Sequence, residues 1–585
     1  MEETEIVEVR RRRRWPMVLA AFLLIAVLAL LVLWLLRYSI AADYIDREFA
    51  RRGVQATYKV KRIGLHRQRL EDLVIGDPNR PDLTARWVEV ELSWGFTGPS
   101  VSLITARGVR LYGKVQGRRV TLGQVDRLLP PPTGAPFRLP DQRINVADAA
   151  IVLETPGGRV GIALAGRGNL SNGFRGHLAA VSRGLRFRDC RLAAPSAVVG
   201  VAVDRHRPTF DGPLSFDGIA CGNSFDLTRP NMALNVTLSE AFNSWRGTGR
   251  VEAPRMRAGP NILAGMGGRL TFSGDITETR GAVDVAAARA AIASFRAART
   301  RVSGDYSLSL DGGRFALDGQ ASMRGFTVGA GTLRPLLATL RSGDGTPIGP
   351  IGRALADSLL RAATGGGDLA GRVTVVNRED GGAARFDDLG FSARSGARLR
   401  VTGGSGITYS WPGGRIQTDG DFAVSGGGLP DARFALRQAR PGGPIQGVGR
   451  IAPMSSGASR LALGEVRFTA EPSGATRLET VATVDGAFRG GRVDGLSIPV
   501  RGRFGGGGFA FGEGCVEASF RRLRIEDLAV GPGRLPLCPT GRALVWKAPG
   551  GPVQGGAEIR SPRFAGRLGA SPVAITARRM RFNLA

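Results

Sequence analysis

At 585 residues, with 85 glycines and a net charge of +30, the chain has room for several ordinary domains but reads as one extended β architecture. Only Lys59, Lys61, Lys114 and Lys547 of its 80 basic residues are lysines, and the arginines are dispersed along alternating positions rather than clustered beside stacking aromatics, which argues against nucleic-acid binding. Three scattered histidines and the lack of any C-x-x-C pattern argue against a zinc site and leave no base for a serine or cysteine nucleophile.

The first element in chain order is a transmembrane helix. Residues 1–16 form a basic N-terminus, with Arg10 to Arg14 directly before an apolar run from Met17 to Leu36 that holds no charge, Gly or Pro. A helix of that length spans ~30 Å, the thickness of a hydrocarbon core. Trp15 and Trp34 sit near its ends, and the arginines hold the N-terminus in the cytoplasm, so residues 37 onward belong on the far side of the membrane. The alternative is a cleaved signal peptide, whose apolar region would be about 7–15 residues followed by a small-x-small site. The run is too long for that, and Ser39, Ala41 and Ala42 make only a weak version of the site.

Residues 37–53 are expected to form an amphipathic helix, with Ile40, Tyr44, Ile45 and Phe49 at helical spacing and Gly53 as its stop. A first β-region follows over 54–284. Its strands are expected at Gln55–Ile63, Leu70–Ile75, Ala85–Ser93 and Val101–Val115, and the Pro-rich stretch 130–140 as a surface loop. Further strands, Arg143–Glu154, Arg159–Leu170 and Gly173–Val181, are parted by turns such as Pro156-Gly157-Gly158.

Residues 285–365 are expected as a helical insert with an intervening β-hairpin. The stretch 285–300 is Ala-rich, and 332–363 carries leucines at helical spacing in two halves separated by Ser342–Pro350. A second β-region over 366–585 completes the chain and stops within a strand, Val573–Leu584, which reads as a sheet cut short.

The spacing of about 10–14 residues per strand plus turn describes an antiparallel meander. Roughly thirty to forty strands exceed one sandwich core, so the expected fold is mainly β: an elongated, curled antiparallel sheet with a few inserted helices. From Trp87 to Trp94 one face is apolar and the other charged, and Gly108 to Val115 repeats the pattern. Val88, Val90, Leu92, Val109 and Leu111 are therefore candidates for lining an apolar groove. Either the groove is open, or a closed core covers that face.

Cys190, Cys221, Cys515 and Cys538 fall into two local pairs. Two disulfides are the natural reading in an oxidising compartment; four buried free thiols are the alternative. Phe187–Leu227 and Cys515–Pro539 share a layout of cysteine, strand, turn, strand and cysteine, either as two similar clipped turns of the sheet or by coincidence. No G-x-S-x-G elbow, H-E-x-x-H or Walker-type loop is present. No catalytic, cofactor-binding or metal-binding residue is assigned, and no cofactor is expected.

This arrangement resembles the AsmA-like superfamily and, within it, the YdbH-like proteins once labelled dicarboxylate transport proteins. The resemblance rests on Asp43–Val54 running on to Glu71-Asp72-Leu73-Val74-Ile75-Gly76, on Thr346-Pro347-Ile348-Gly349-Pro350 in the helical insert, and on Leu535-Pro536-Leu537-Cys538-Pro539 after Cys515. It implies a non-enzymatic inner-membrane protein whose repeating β-groove bridges the periplasm and conducts phospholipids to the outer membrane. An outer-membrane lipoprotein partner would complete the far end of the groove. Members near this type are usually longer, which implies that the distal part is missing here. The related TamB-like branch supplies the alternative, an envelope scaffold or assembly factor for outer-membrane proteins. Dicarboxylate transport fits poorly, since one membrane helix cannot form an alternating-access pathway.

Overall fold

The computed structural model describes residues 23–24, 26–28, 31, 43, 45–64, 66–95, 98–116, 119–128, 138–223, 225–309, 313–343 and 345–584. The chain is mainly β, with largely antiparallel strands and few helices. It divides into two units, Met1–Gly222 with Asn231–Trp245, and Asn223–Pro230 with Arg246–Ala585. Among the described residues no helix is long and apolar enough to cross a membrane. The expected span Met17–Leu36 lies largely outside them. Its described positions are helical, and Leu23, Leu24, Val27, Leu28 and Leu31 among them are exposed.

The first unit opens on helix α1 (residues 45–51). Gly53, at φ +65°, ends it in a Schellman motif: its N–H donates to the Ala50 carbonyl at 3.0 Å, and the Val54 N–H to the Phe49 carbonyl at 2.9 Å. A side chain at position 53 would be strained in this left-handed conformation. The turn delivers Val54 and Phe49 onto Leu73, Ile75 and Ala85. Tyr58 packs 6.0 Å from the Phe49 ring and donates to Asp46 at 2.7 Å. Burial, together with the Asp46 carboxylate, pushes its phenol well above the ordinary value. The 3-10 helix Gly123–Leu128 adds Val125 and Leu128 to the same cluster. Gln124 accepts from the Gln55 N–H at 2.6 Å, and Arg127 donates to the Gly53 carbonyl. The apolar face is thus capped beside the first strands.

One strand, Arg143–Thr155, departs from the antiparallel expectation in two pairings. Arg143–Thr155 runs parallel to Gly98–Arg107 and Arg110–Gln116. The described part of the connection from Gln116 to Arg143 holds Arg119–Thr121 and the 3-10 helix Gly123–Leu128, and a connection of this length lets the chain return in the same direction. Most of the expected loop at 130–140 falls outside the described residues.

In the second unit residues 285–300 are strand, not helix. They belong to Glu278–Ile292, Phe295–Ala297 and the start of Arg299–Ser309. Thr279, Gly281, Val283, Val285 and Ala287 share one face, while Arg280 and Asp284 take the other. Alanine suits either face, which hides the period of two, and pairing on both sides outweighs helix propensity. The helical insert is confined to α2 (Ala330–Arg341) and α3 (Gly349–Thr364), with Pro350 in the opening turn of α3. Arg341 and Asp357 pair between the helices at 2.8 Å.

Both cysteine pairs are bonded, Cys190 to Cys221 with S–S 2.05 Å and Cys515 to Cys538 with S–S 2.02 Å. Each clips the open end of a hairpin. Beyond the first, Ser196–Asp204 pairs with Arg207–Ser215; beyond the second, Arg522–Ile525 pairs with Leu528–Val530. The echo in the sequence is therefore a shared structural layout.

Replacing Cys190 and Cys221 with alanine frees a 31-residue loop in the unfolded chain, a loss on the order of 3 kcal/mol. Hydrogen exchange of the variant should show lost protection across Ser196–Ser215 and unchanged protection across Arg522–Val530. Unchanged exchange in both hairpins would refute a stabilising role.

Candidate functional site

The register of the strands places the apolar residues in rows. In the first unit one row of directly opposed positions passes through Ala56, Ile75, Leu83, Leu111, Ile151 and Ile162. It continues through Ala180, Ala197, Leu214 and Met232. A parallel row takes in Val60, Leu70, Val88, Ala106 and Val146 before Gly166, Gly176, Val201, Phe210 and Val236. No charged side chain interrupts either.

The five lining candidates all belong to this region. Val88 and Leu111 stand in the two rows. Val90 faces Ile104, Leu92 faces Val101, and Val109 packs with Val88 on the cluster around Val54. All five are half-buried. In the second unit the corresponding row runs Ala287, Thr300, Met323, Leu369 and Phe391, then Leu399, Val424, Ala432 and Ile451. The sequence reading named none of these. The alternation from Phe315 through Leu317 and Ala321 to Met323 is the signal that could have found them.

Bulges keep these sets together. Met323 and Phe326 share a face across Gly325 at φ +63°, and the Phe326 ring lies 5.8 Å from that of Phe391. Val146 and Ala149 do the same across Asp148 at φ +56°, and Phe386 and Leu389 across Asp388 at φ +48°. One extra residue reverses the alternation and bends the strand. Arg110 holds the bulge at Asp148 by donating to its carbonyl at 2.6 Å and its carboxylate at 2.9 Å.

Glycines on the same face make room for rings. A Cβ at Gly447 would run into Phe468, one at Gly449 into Phe434, and one at Gly502 into Phe511. The aromatic side chain covers the exposed backbone of its neighbour, which keeps the surface apolar and low in relief.

Coverage of the face is uneven. Val401 is 0% exposed, whereas Tyr409 and Ile416, opposed to each other on the same face, are 43% and 58% exposed. Among the described residues the largest fully buried side chains are Ile559, Val401 and Pro230. A second layer over so many strands would bury many more. Helix α3 covers one margin, where Ala362 meets Ala393, Ala397, Phe391 and Leu429.

The other face is ionic. Arg301 grips Asp284 at 2.7 and 2.6 Å, Arg67 pairs with Glu91 at 3.0 Å, and the Arg69 guanidinium lies 4.3 Å from the Trp87 ring centre. Among the described residues no group of His, Cys, Asp or Glu is placed to hold a metal ion. Within each unit an apolar face is thus backed by a charged one.

These features define a class: sheet proteins that present one apolar face across successive strands. The chain belongs to the YdbH-like family, whose model, described as intermembrane phospholipid transport protein YdbH, matches residues 24–538. No match was found among curated proteins or among solved structures.

The uneven coverage makes a direct prediction. Val401→Asp places an unpaired charge in a fully buried site and should destabilise the second unit by several kcal/mol. Ile416→Asp should cost no more than about 1 kcal/mol. Urea unfolding of the two variants checks this; equal losses would mean that the face is closed at Ile416 as well.

Proposed function

We propose that the chain is a non-enzymatic bridge, anchored in the bacterial inner membrane by Met17–Leu36, that carries phospholipids through the periplasm toward the outer membrane. The observation that carries this reading is the apolar face, continued row by row within each unit and left open at positions such as Tyr409 and Ile416. Membership of a phospholipid transport family supports it.

The physics is passive binding. Each methylene removed from water contributes about 0.8 kcal/mol, so an acyl chain on this face is held without any specific polar contact. Along the rows a neighbouring site offers nearly the same environment, and movement between sites meets no charged barrier. The headgroup stays in water beyond the open margin. Val88, Val90, Leu92, Val109 and Leu111 line the first part of the path, next to the anchor. An outer-membrane lipoprotein is the expected partner at the far end. The alternative role in assembling outer-membrane proteins has no observation that favours it over this one.

Photocrosslinking residues at Val90 and Ile416, with mass spectrometry of the adducts, tests the reading. Phospholipid adducts are expected at both, and none at the outward-facing control Gln320. Absence of lipid adducts along the apolar face would sink the proposal. Ile416→Asp should lower the adduct yield at neighbouring inward positions severalfold while the protein stays folded.

A further inference from the structure

The last strands carry a second surface, on the face away from the apolar rows. Val553–Arg560 pairs with Arg579–Leu584 so that Glu558 stands opposite Arg581, and Arg560 opposite Arg579. One carboxylate thereby serves three guanidinium groups. The Nε atoms of Arg560, Arg579 and Arg581 lie 3.2, 3.3 and 3.0 Å from its oxygens. Because each contact is made through Nε, the terminal nitrogens of all three forks stay available, and the arginine side chains are 76%, 55% and 59% exposed.

Charge does not balance here. Two arginines directly opposed across a ladder repel each other, and a single carboxylate neutralises one positive charge of three. The surrounding sequence deepens the excess. Between residues 540 and 585 Glu558 is the only acidic residue, against Arg542, Lys547 and six more arginines, whereas the whole chain sets 50 acidic residues against 80 basic ones. Guanidinium forks with free terminal nitrogens match phosphate oxygens in geometry and charge.

Phe582 is exposed on the reverse of the same strand, so the arginine face is cationic and not apolar. Exposed guanidinium groups suit an anionic lipid surface, where they meet headgroup phosphates. Trp546 shares this face, opposite Gln554, with the Arg542 guanidinium 6.0 Å from its ring centre.

We infer that the outer face of this terminal hairpin docks on an anionic bilayer leaflet by binding its headgroup phosphates. The inference does not depend on the apolar rows carrying lipid. The full chain, held in phosphatidylcholine nanodiscs, is mixed with phosphatidylcholine vesicles with or without about 30 mol % phosphatidylglycerol and separated by flotation. Co-flotation is expected with the anionic vesicles only, and it should fall as salt is raised.

The double variant R579Q/R581Q should weaken this partitioning roughly 10–30-fold, whereas R255Q/R257Q, the same charge change on another exposed strand, should alter it by less than about threefold. R579K/R581K should restore most of the binding, which separates loss of charge from loss of fold. Equal losses in the two glutamine variants, failure of lysine to rescue, or full release by millimolar inorganic phosphate would overturn the inference in favour of general charge, a structural role or a soluble anion.

Discussion

Side chains alternate across a strand with a period of two, and everything else in this protein depends on keeping the apolar set on one side when the strand bends. A bend made by a bulge reverses the alternation. The sequence must then step by three instead of two, as it does from Val146 to Ala149 and from Met323 to Phe326. Left-handed residues stand at those steps, glycine at Gly325 and aspartate at Asp148 and Asp388. Aspartate tolerates this conformation better than most side chains and, at Asp148, is paired with Arg110 across the bend. Curvature and continuity of the apolar face are therefore one feature of the chain.

An apolar face of this extent would be an aggregation hazard if left bare. It is covered where specific elements are at hand: α1 and the 3-10 helix at the first strands, α3 at the margin near Phe391, and the cluster of Val493, Phe520 and Val530 among the later strands. Elsewhere its residues are half-buried or, as at Tyr409 and Ile416, exposed. The partial cover separates this sheet from a sandwich, in which a second layer would seal the same side chains. Glycine facing aromatic rings contributes to the same end, since Phe434 over Gly449 hides backbone without building a ridge.

Much of this was legible in the sequence, and the exceptions have physical causes. The alternation around Trp87 identified strand, face and outward charge together, because valine and glutamate differ sharply in where they can sit. The leucines of α2 and α3 likewise marked a helical pair, in agreement with Ala330–Arg341 and Gly349–Thr364. At 285–300 the residues are nearly all small, so periodicity carried no contrast and intrinsic propensity pointed the wrong way; the strands on either side decided the outcome. The parallel pairing of Arg143–Thr155 depends on the route of a connection, which no local pattern encodes. Bulge positions were equally silent, since a three-residue step between apolar positions looks like noise until the register is known.

The predominance of arginine takes on a meaning once the two faces are distinguished. An outer face must remain soluble while its strands stay flat enough to pair, and a guanidinium can lie along the sheet, pairing with Asp284 or stacking on Trp87, where an ammonium would extend into water. For most of the sheet these arginines have carboxylates within reach. Toward residues 540–585 the carboxylates give out and the arginines do not. The same side chain that makes the outer face self-sufficient elsewhere leaves an unneutralised surface there. Around Glu558 the two faces separate on adjacent residues: Ile559 is buried on the apolar side, while Arg560, Arg579 and Arg581 stand exposed on the other.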